Sequence, residues 1–292
     1  MNRRKADAAL AGNTVVWGAT FVLVKAALDD VSPLVFLALR FALATAALLV
    51  LFRGARVGSW AEMRAGALAG TFLFCGYLLQ TVGLEFTSAP KSAFITGLTS
   101  VMVPLLGILV YRVRPQASEL LGVVIAIAGL GLLTMEGPIA TASMNRGDVL
   151  TIGCTVAYAA HILTLGHYAG KVRFEALAVT QVGTAGLLAG SLFWWAEAPR
   201  LVWRLPLVAA VVITGLIATA AAFTVQAWAQ KYTTSTRTAL IYMLEPVFAW
   251  ITSYVIAGVG LSGRAAAGAA LILGGVLVVE MKPLNPRLHP LP

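Results

Sequence analysis

The composition of this chain is that of a membrane protein built from helices. It has 292 residues, of which 59% are hydrophobic and 11% charged, and its mean hydropathy is +0.87. A soluble domain is about 45–50% apolar and about 25% charged, so an ordinary soluble enzyme, a disordered chain and a secreted disulfide scaffold are excluded. The net charge of +9 comes from residues that lie between apolar runs, which favours a membrane over nucleic acid as the partner.

Apolar runs recur along the chain at the length that a bilayer-spanning helix needs, about 20 residues. In lipid, backbone N–H and C=O groups can be paired only within a helix or in a closed β-barrel. The runs lack the alternating pattern of barrel strands, so the sequence predicts an all-α polytopic protein with ten transmembrane helices. The expected spans are 8–28, 33–52, 65–84, 92–111, 118–136, 148–167, 176–196, 206–229, 237–257 and 265–281. The proline-rich segment 283–292 is expected to be a non-helical tail.

The distribution of Lys and Arg predicts the orientation. Fourteen of the 21 basic residues fall in segments on the side of the N-terminus, five fall on the opposite side, and Lys25 and Arg40 lie within spans. Because basic residues are enriched in cytoplasmic loops, both termini are expected in the cytoplasm.

The chain also resembles itself at a fixed shift. Moving residues 77–136 forward by 146 places Gln80 on Gln226, Thr87 on Thr233, Lys91 on Arg237 and Ala93 on Ala239, without a gap. Five spans are an odd number, so a second copy begins on the other side of the membrane. The pattern predicts two inverted five-helix repeats, 1–140 and 141–282, with a substrate site between them.

Polar and aromatic residues inside the spans are the candidates for that site, because polar groups in lipid usually face a cavity or a neighbouring helix. Helical spacing places several of them on shared faces. The candidate substrate-binding residues are Trp17, Phe21, Tyr77, Gln80, Thr96, Ser100, Thr155, Tyr158, His161, Tyr242 and Glu245. For each Thr or Tyr, packing between helices is an equally good explanation.

Three ionisable residues inside spans have two interpretations each. Glu245, followed by Pro246, is either a proton- or substrate-binding acid or a neutral acid paired with a neighbouring helix. His161 is either a titrating group or a histidine bonded between helices. Arg40 is either a structural residue, which anchors an ion pair or extends its guanidinium towards the membrane surface, or a cation facing the cavity. Glu245 and His161 are the candidates for proton coupling, because burial favours the neutral form of both groups.

Five stretches resemble the EamA type of the drug/metabolite transporter superfamily. They read WGATFVLVKAAL at 17–28, FLALRFALA at 36–44, GYLLQTVGLEFTSAPKSAFITGLTSVMVPLLG at 76–107, LEPVFAW at 244–250 and GAALILGGVLV at 268–278. The resemblance covers essentially the whole chain. It implies a secondary transporter of the bacterial inner membrane that exports small organic metabolites by alternating access. Amino acids, neutral or aromatic, are the expected substrates.

Two alternatives remain at this stage. One is drug or multidrug efflux, and the other is a membrane-embedded enzyme with Glu245 and His161 in acid–base roles. The sequence contains no Walker A loop, GxSxG, HExxH or CxxC motif, so we expect a protein that is not an enzyme. We also expect no cofactor, metal or nucleic-acid partner, only a small-molecule substrate and membrane lipid.

Overall fold

The fold is known from a computed structural model, which describes residues 3–53, 58–87, 89–112, 115–134, 144–257 and 262–280. Within these ranges the structure is helical apart from turns and one isolated bridge between Val31 and Leu201. The α-helices are α1 (Arg3–Ala27), α2 (Pro33–Leu51), α3 (Trp60–Phe86), α4 (Ala89–Gly97), α5 (Thr99–Tyr111), α6 (Ala117–Thr134), α7 (Arg146–Tyr168), α8 (Phe174–Ala196), α9 (Leu205–Gly215), α10 (Ala222–Ala229), α11 (Ser235–Tyr242), α12 (Glu245–Ala257) and α13 (Gly263–Glu280).

The helices coincide in position with the apolar runs of the sequence. Each predicted span overlaps one helix or a pair of consecutive helices, and most boundaries differ by a few residues. Within the described ranges, seven helical segments are long and apolar enough to cross a membrane, and two shorter apolar helices cover Ala117–Leu133 and Gly263–Val279. The chain is therefore a multi-pass membrane protein. The predicted tail 283–292 lies outside the described residues.

Two of the expected spans are interrupted at corresponding places. The first break, at Leu98, separates α4 from α5, and the second, at Met243 and Leu244, separates α11 from α12. Pro246 explains the second break, because a proline has no N–H to donate and its ring clashes with the carbonyl four residues earlier. Leu98 and Leu244 are 146 residues apart, the shift found in the sequence.

A third irregularity is a π-helical segment, Leu216–Ala221, between α9 and α10. A π-bulge changes the backbone bonding pattern within a helix and is frequently found at functional sites. Here the Ala218 carbonyl accepts a hydrogen bond from the Trp17 indole at 2.8 Å. The irregular segment thus joins α1 to the helix that runs from α9 to α10.

Glycines allow α6 and α13 to approach closely. A Cβ atom on Gly129 would lie 2.6 Å from the carbonyl oxygen of Gly268, and one on Gly122 would lie 2.7 Å from that of Gly275. Small residues at such crossings are typical of helix packing in membranes. On the outer surface of the bundle, large apolar side chains such as Leu109, Leu187 and Val255 are more than 70% exposed, as expected for side chains that face lipid.

Candidate functional site

A cavity lies inside the bundle, between helices from both halves of the chain. Its empty space is about 860 Å³, including the part continuous with solvent. Its walls are lined by Trp17, Thr20, Phe21, Val24, Arg40, Tyr77, Gln80, Thr81, Leu84, Ala93, Thr96, Gly97, Thr99, Tyr158, His161, Ile162, Phe223, Gln226, Ala239, Tyr242, Glu245 and Pro246.

The structure brings most of the residues predicted from the sequence to this cavity. Nine of them are among the lining residues, namely Trp17, Phe21, Tyr77, Gln80, Thr96, Tyr158, His161, Tyr242 and Glu245. Ser100 and Thr155 are not. Their hydroxyls donate to backbone carbonyls of their own turns, Ser100 to Gly97 at 3.0 Å and Thr155 to Ile152 at 2.7 Å. Both are buried, and their hydroxyls are satisfied locally.

Aromatic rings form much of the cavity wall. Trp17 contacts Tyr242 edge-on with 4.8 Å between ring centroids, and it lies 5.5 Å from Phe223. Tyr77 contacts Tyr158 at 5.6 Å and Phe223 at 6.0 Å. These edge contacts favour a fixed arrangement of rings, so the wall is a preformed apolar surface for a ligand.

One side of the cavity carries a chain of neutral hydrogen bonds. The Tyr158 hydroxyl donates to Gln80 Oε1 at 3.1 Å, and Gln80 Nε2 donates to the Thr96 hydroxyl at 3.1 Å. The three residues come from α7, α3 and α4 respectively. The network fixes the Gln80 amide and connects the first half of the chain to the second across the cavity wall.

Arg40 on α2 presents a buried positive charge to the cavity, with a side chain held by neutral groups. Its residue exposure is 3%. Nε donates to the Thr219 hydroxyl at 2.7 Å and Nη2 donates to the Tyr77 hydroxyl at 2.9 Å, with a longer contact of 3.4 Å to the Ala218 carbonyl. The guanidinium carbon also lies 4.4 Å from the centre of the Tyr77 ring.

Glu245 presents a carboxylate to the same cavity from the start of α12. In the part of the chain that the structure describes, this carboxylate has neither a hydrogen-bond donor nor an ion-pair partner. Its neighbours in the cavity wall include Pro246 and the aromatic ring of Tyr242. An acid in such surroundings is costly to ionise unless a cation or a proton neutralises it.

His161 is hydrogen-bonded between two helices. Its Nε2 lies 2.8 Å from Gln181 Oε1 on α8, and its ring contacts Phe223 edge-on. Its residue exposure is 2%. This arrangement matches the packing interpretation of His161, although the residue also lines the cavity.

An ion pair lies near each end of the bundle that holds the cavity. At the first, which we call the Asp148 end, Lys91 Nζ is 2.7 Å from Asp148 Oδ2. The Thr87 hydroxyl donates to Asp148 Oδ1 at 2.9 Å, and Lys25 donates to the Leu84 and Thr87 carbonyls. The pair joins α4 to α7.

At the second, which we call the Asp7 end, Arg237 binds Asp7 through Nε and Nη2, both 3.1 Å from Oδ2. Arg237 Nη1 also donates to the Val279 carbonyl at 2.7 Å. The pair joins α11 to α1 and α13. Asp7 and Lys25 are separated by 18 residues of α1, or about 27 Å at 1.5 Å per residue, so the two pairs lie at opposite ends of the bundle.

The repeat found in the sequence relates these two ends. Arg237 follows Lys91 by 146 residues and Asp148 follows Asp7 by 141. Ala93 and Ala239, each two residues beyond the base, both line the cavity. Each pair therefore joins the first helix of one half to the fourth span of the other.

Sequence reasoning missed several cavity residues. Phe223 and Gln226 of α10 line it, yet neither was a candidate. The signal for Gln226 was present, because the repeat places it on Gln80. In the structure Gln226 Nε2 donates to Gln230 at 3.0 Å, while its Oε1 is buried without a hydrogen-bond donor in the described residues.

A multi-pass helical bundle around a central cavity is an architecture found among transporters. A model of the EamA-like transporter family matches residues 4–135 and again residues 145–281. The chain belongs to this family and is not an enzyme. Among the described residues there is also no group of three or more His, Cys, Asp or Glu side chains that could hold a metal ion.

Relatives over nearly the full length carry transporter names. An "Uncharacterized transporter" of Archaeoglobus fulgidus is 32% identical and covers 97% of this chain and 88% of its own length. "Uncharacterized transporter YyaM" of Bacillus subtilis is 28% identical and covers 93% and 92%. A crystal structure with 20% identity superposes with a TM-score of 0.77 over 95% of this chain and 96% of the other, which shows a shared fold.

Proposed function

We propose that this protein is a secondary transporter that exports small organic metabolites, with amino acids as the substrate class, across the inner membrane of a bacterium by alternating access. The observation that carries the proposal is the central cavity, with an ion pair of the same design near each end of the bundle that holds it. A cavity that is closed at either end in turn is what alternating access requires.

The proposal assigns the chain ten spans with both termini in the cytoplasm, arranged as two inverted repeats, 1–140 and 141–282. Three observations support this arrangement. The family model matches twice, the two interrupted spans break at positions related by the repeat shift, and the two ion pairs exchange partners between the halves.

The cavity chemistry supports amino acids as substrates. The wall is largely aromatic, yet it holds one cation, Arg40, and one acid, Glu245, which do not pair with each other. A phosphate or nucleotide-sugar carrier would be expected to hold several basic residues around its ligand. A lipophilic drug would need no buried cation, so drug efflux is the less suitable alternative.

A counterflow assay tests the proposal. Purified protein is placed in liposomes loaded with unlabelled amino acid, and uptake of the labelled amino acid from outside is measured for a panel of neutral and aromatic amino acids. We expect transient accumulation that protein-free liposomes lack. Accumulation of a labelled lipophilic cation with no response to any amino acid would instead establish drug efflux.

A further inference from the structure

Arg40 is a buried charge without a counterion. Its exposure is 3%, and its hydrogen bonds go to Thr219, Tyr77 and the Ala218 carbonyl, which are all neutral. No carboxylate forms an ion pair with it anywhere in the described residues. Removing a charge from water is expensive unless an opposite charge compensates it, and the neutral groups around Arg40 compensate only in part.

The surroundings of Arg40 are built to hold its orientation. The π-helical segment Leu216–Ala221 supplies two of its acceptors, the Thr219 hydroxyl and the Ala218 carbonyl. The same carbonyl accepts from the Trp17 indole, and the Tyr77 ring covers one face of the guanidinium. These contacts engage Nε and Nη2. The described residues provide no acceptor for Nη1, so its two N–H groups remain for a ligand.

Glu245 lines the same cavity and is an acid without a cationic partner in the described residues, whereas Arg40 is a cation without an acidic partner. The two charges are connected by a row of aromatic rings. Tyr77 contacts Arg40, Trp17 donates to the carbonyl that Arg40 also uses, and Trp17 in turn contacts Tyr242, three residues before Glu245. An apolar surface therefore lies between an unsatisfied cation and an unsatisfied acid.

We infer that Arg40 binds the carboxylate and Glu245 the ammonium group of one zwitterionic ligand, whose side chain lies against the aromatic wall. This inference rests on the proposed function and deepens it, because it names the groups that a substrate must carry. It assigns a substrate-binding role to Arg40. From the sequence alone, a structural role and a role in the cavity were both open for this residue. A guanidinium with an unengaged Nη1 can donate a charge-assisted hydrogen bond to a carboxylate.

The test uses binding, separately from transport. The probes are L-phenylalanine, phenethylamine, which lacks the carboxylate, and 3-phenylpropionate, which lacks the amine. Affinity is measured from the ligand-induced increase in unfolding temperature of the detergent-purified protein. For the unmodified protein we expect both truncated probes to bind at least about 10-fold more weakly than L-phenylalanine, because each leaves one buried charge unpaired.

The two variants should show opposite selectivity. Arg40→Gln should lose about 10-fold or more in affinity for L-phenylalanine and 3-phenylpropionate while phenethylamine binding stays within about 2-fold. Glu245→Gln should lose affinity for L-phenylalanine and phenethylamine while 3-phenylpropionate binding is kept. The matched controls are Arg64→Gln on the exposed face of α3 and Glu175→Gln at the start of α8, which should leave all three affinities unchanged.

The retained probe in each variant also shows that the protein is folded. Equal weakening of all three probes by Arg40→Gln would make Arg40 structural and overturn the inference, even if the protein exchanges amino acids in liposomes. A failure of the unmodified protein to bind L-phenylalanine in preference to phenethylamine would overturn it as well. A protein that binds with the expected selectivity but shows no counterflow would leave the inference standing and contradict the proposed transport function.

Discussion

The two ends of the bundle use the same kind of ion pair but bury it to different degrees. At the Asp7 end the side chains of Arg237 and Asp7 are 2% and 4% exposed, whereas at the Asp148 end Asp148 is 1% exposed and Lys91 is 37% exposed. Arg237 contacts Asp7 through two guanidinium nitrogens and donates to the Val279 carbonyl, and Lys91 contacts Asp148 through its ammonium group.

This difference indicates which end is closed more firmly. A buried guanidinium with several acceptors is difficult to separate from its partner, because separation leaves two charges out of water. A partly exposed lysine can transfer its ammonium group to solvent at small cost. If the two ion pairs close the ends in the proposed transport cycle, the Asp7 end should be the harder of the two to open. The four predictions below test that contrast, from the largest expected effect to the smallest.

The largest effect is expected from removing the base at the Asp7 end. Arg237→Met removes both short guanidinium contacts to the buried Asp7 carboxylate, which keeps a longer ion pair with Arg3 Nε at 3.7 Å. Breaking a buried pair costs up to about 3–5 kcal/mol. We expect a marked fall in the unfolding temperature of the purified protein and less folded protein in membranes. Arg64→Met on the exposed face of α3 is the control. An unchanged unfolding temperature for Arg237→Met would remove the distinction between the two ends.

The second effect concerns what drives the ends to open in turn. If the Glu245 carboxylate binds a proton in one state and substrate in the other, Glu245→Gln should bind substrate more weakly but still exchange it at raised concentration. It should lose accumulation driven by a pH gradient, which for one proton is at most about 10-fold per pH unit. The measurement is uptake into proteoliposomes with and without an imposed gradient. Equal uptake with and without a gradient in the unmodified protein would exclude proton coupling.

His161 serves as the comparison for that experiment. Its ring nitrogen is bound to Gln181, so His161→Gln should keep the gradient dependence if Glu245 carries the proton. If His161→Gln loses the gradient dependence and Glu245→Gln keeps it, the histidine is the group that carries the proton.

A smaller effect is expected at the Asp148 end. Lys91→Met should change stability by about 1 kcal/mol, because the lost ammonium group is partly solvated and the buried Asp148 carboxylate keeps hydrogen bonds from the Thr87 hydroxyl and the Asn145 N–H. The same energy shifts the balance toward the open state by up to about 5-fold. A cysteine at Ala93, in a background with Cys75 and Cys154 replaced by alanine, should then react faster with a membrane-impermeant reagent. A cysteine at Ala239 should not, and equal acceleration at both sites would contradict the contrast.

The last prediction determines which end faces which compartment. Trp203 is 61% exposed in the segment before α9, and Gly170, with no atom within 4 Å of an added Cβ, lies between α7 and α8. In the same cysteine-free background, Trp203→Cys should react from outside the cell and Gly170→Cys only after permeabilisation. This assigns the Asp7 end to the cytoplasm. The opposite pattern would reverse the assignment without affecting the ion pairs.

The sequence was sufficient for the helices and the family because both depend on local patterns. Apolar length and proline positions predict spans, and five motif stretches indicated the family that the comparisons show. The sequence could not show how the helices break. Nothing in residues 206–229 distinguishes a straight helix from one with a π-helical segment, which depends on contacts with Trp17 and Arg40 from distant helices.

The sequence predicted cavity residues correctly where the polar group of the side chain does not bond to the backbone of its own helical turn. Tyr77, Gln80, Tyr158 and Glu245 all line the cavity. Ser100 and Thr155 do not, because a serine or threonine in a helix can bond to the preceding turn, and helical spacing does not reveal this. Gln226 was missed although the repeat pointed to it, because a single buried amide carries no chemical signature of its own.

The exchange of partners between the halves also has an evolutionary consequence. Each ion pair takes its acid from the first helix of one half and its base from the fourth span of the other. A single half-length polypeptide, inserted into the membrane in both orientations and associating as an antiparallel dimer, would form both pairs from one gene. Fusion of two copies frees each pair to change by itself. If the two halves are such a fusion, the Lys at one end and the Arg at the other are a divergence that two gene copies permit and that a symmetric dimer forbids.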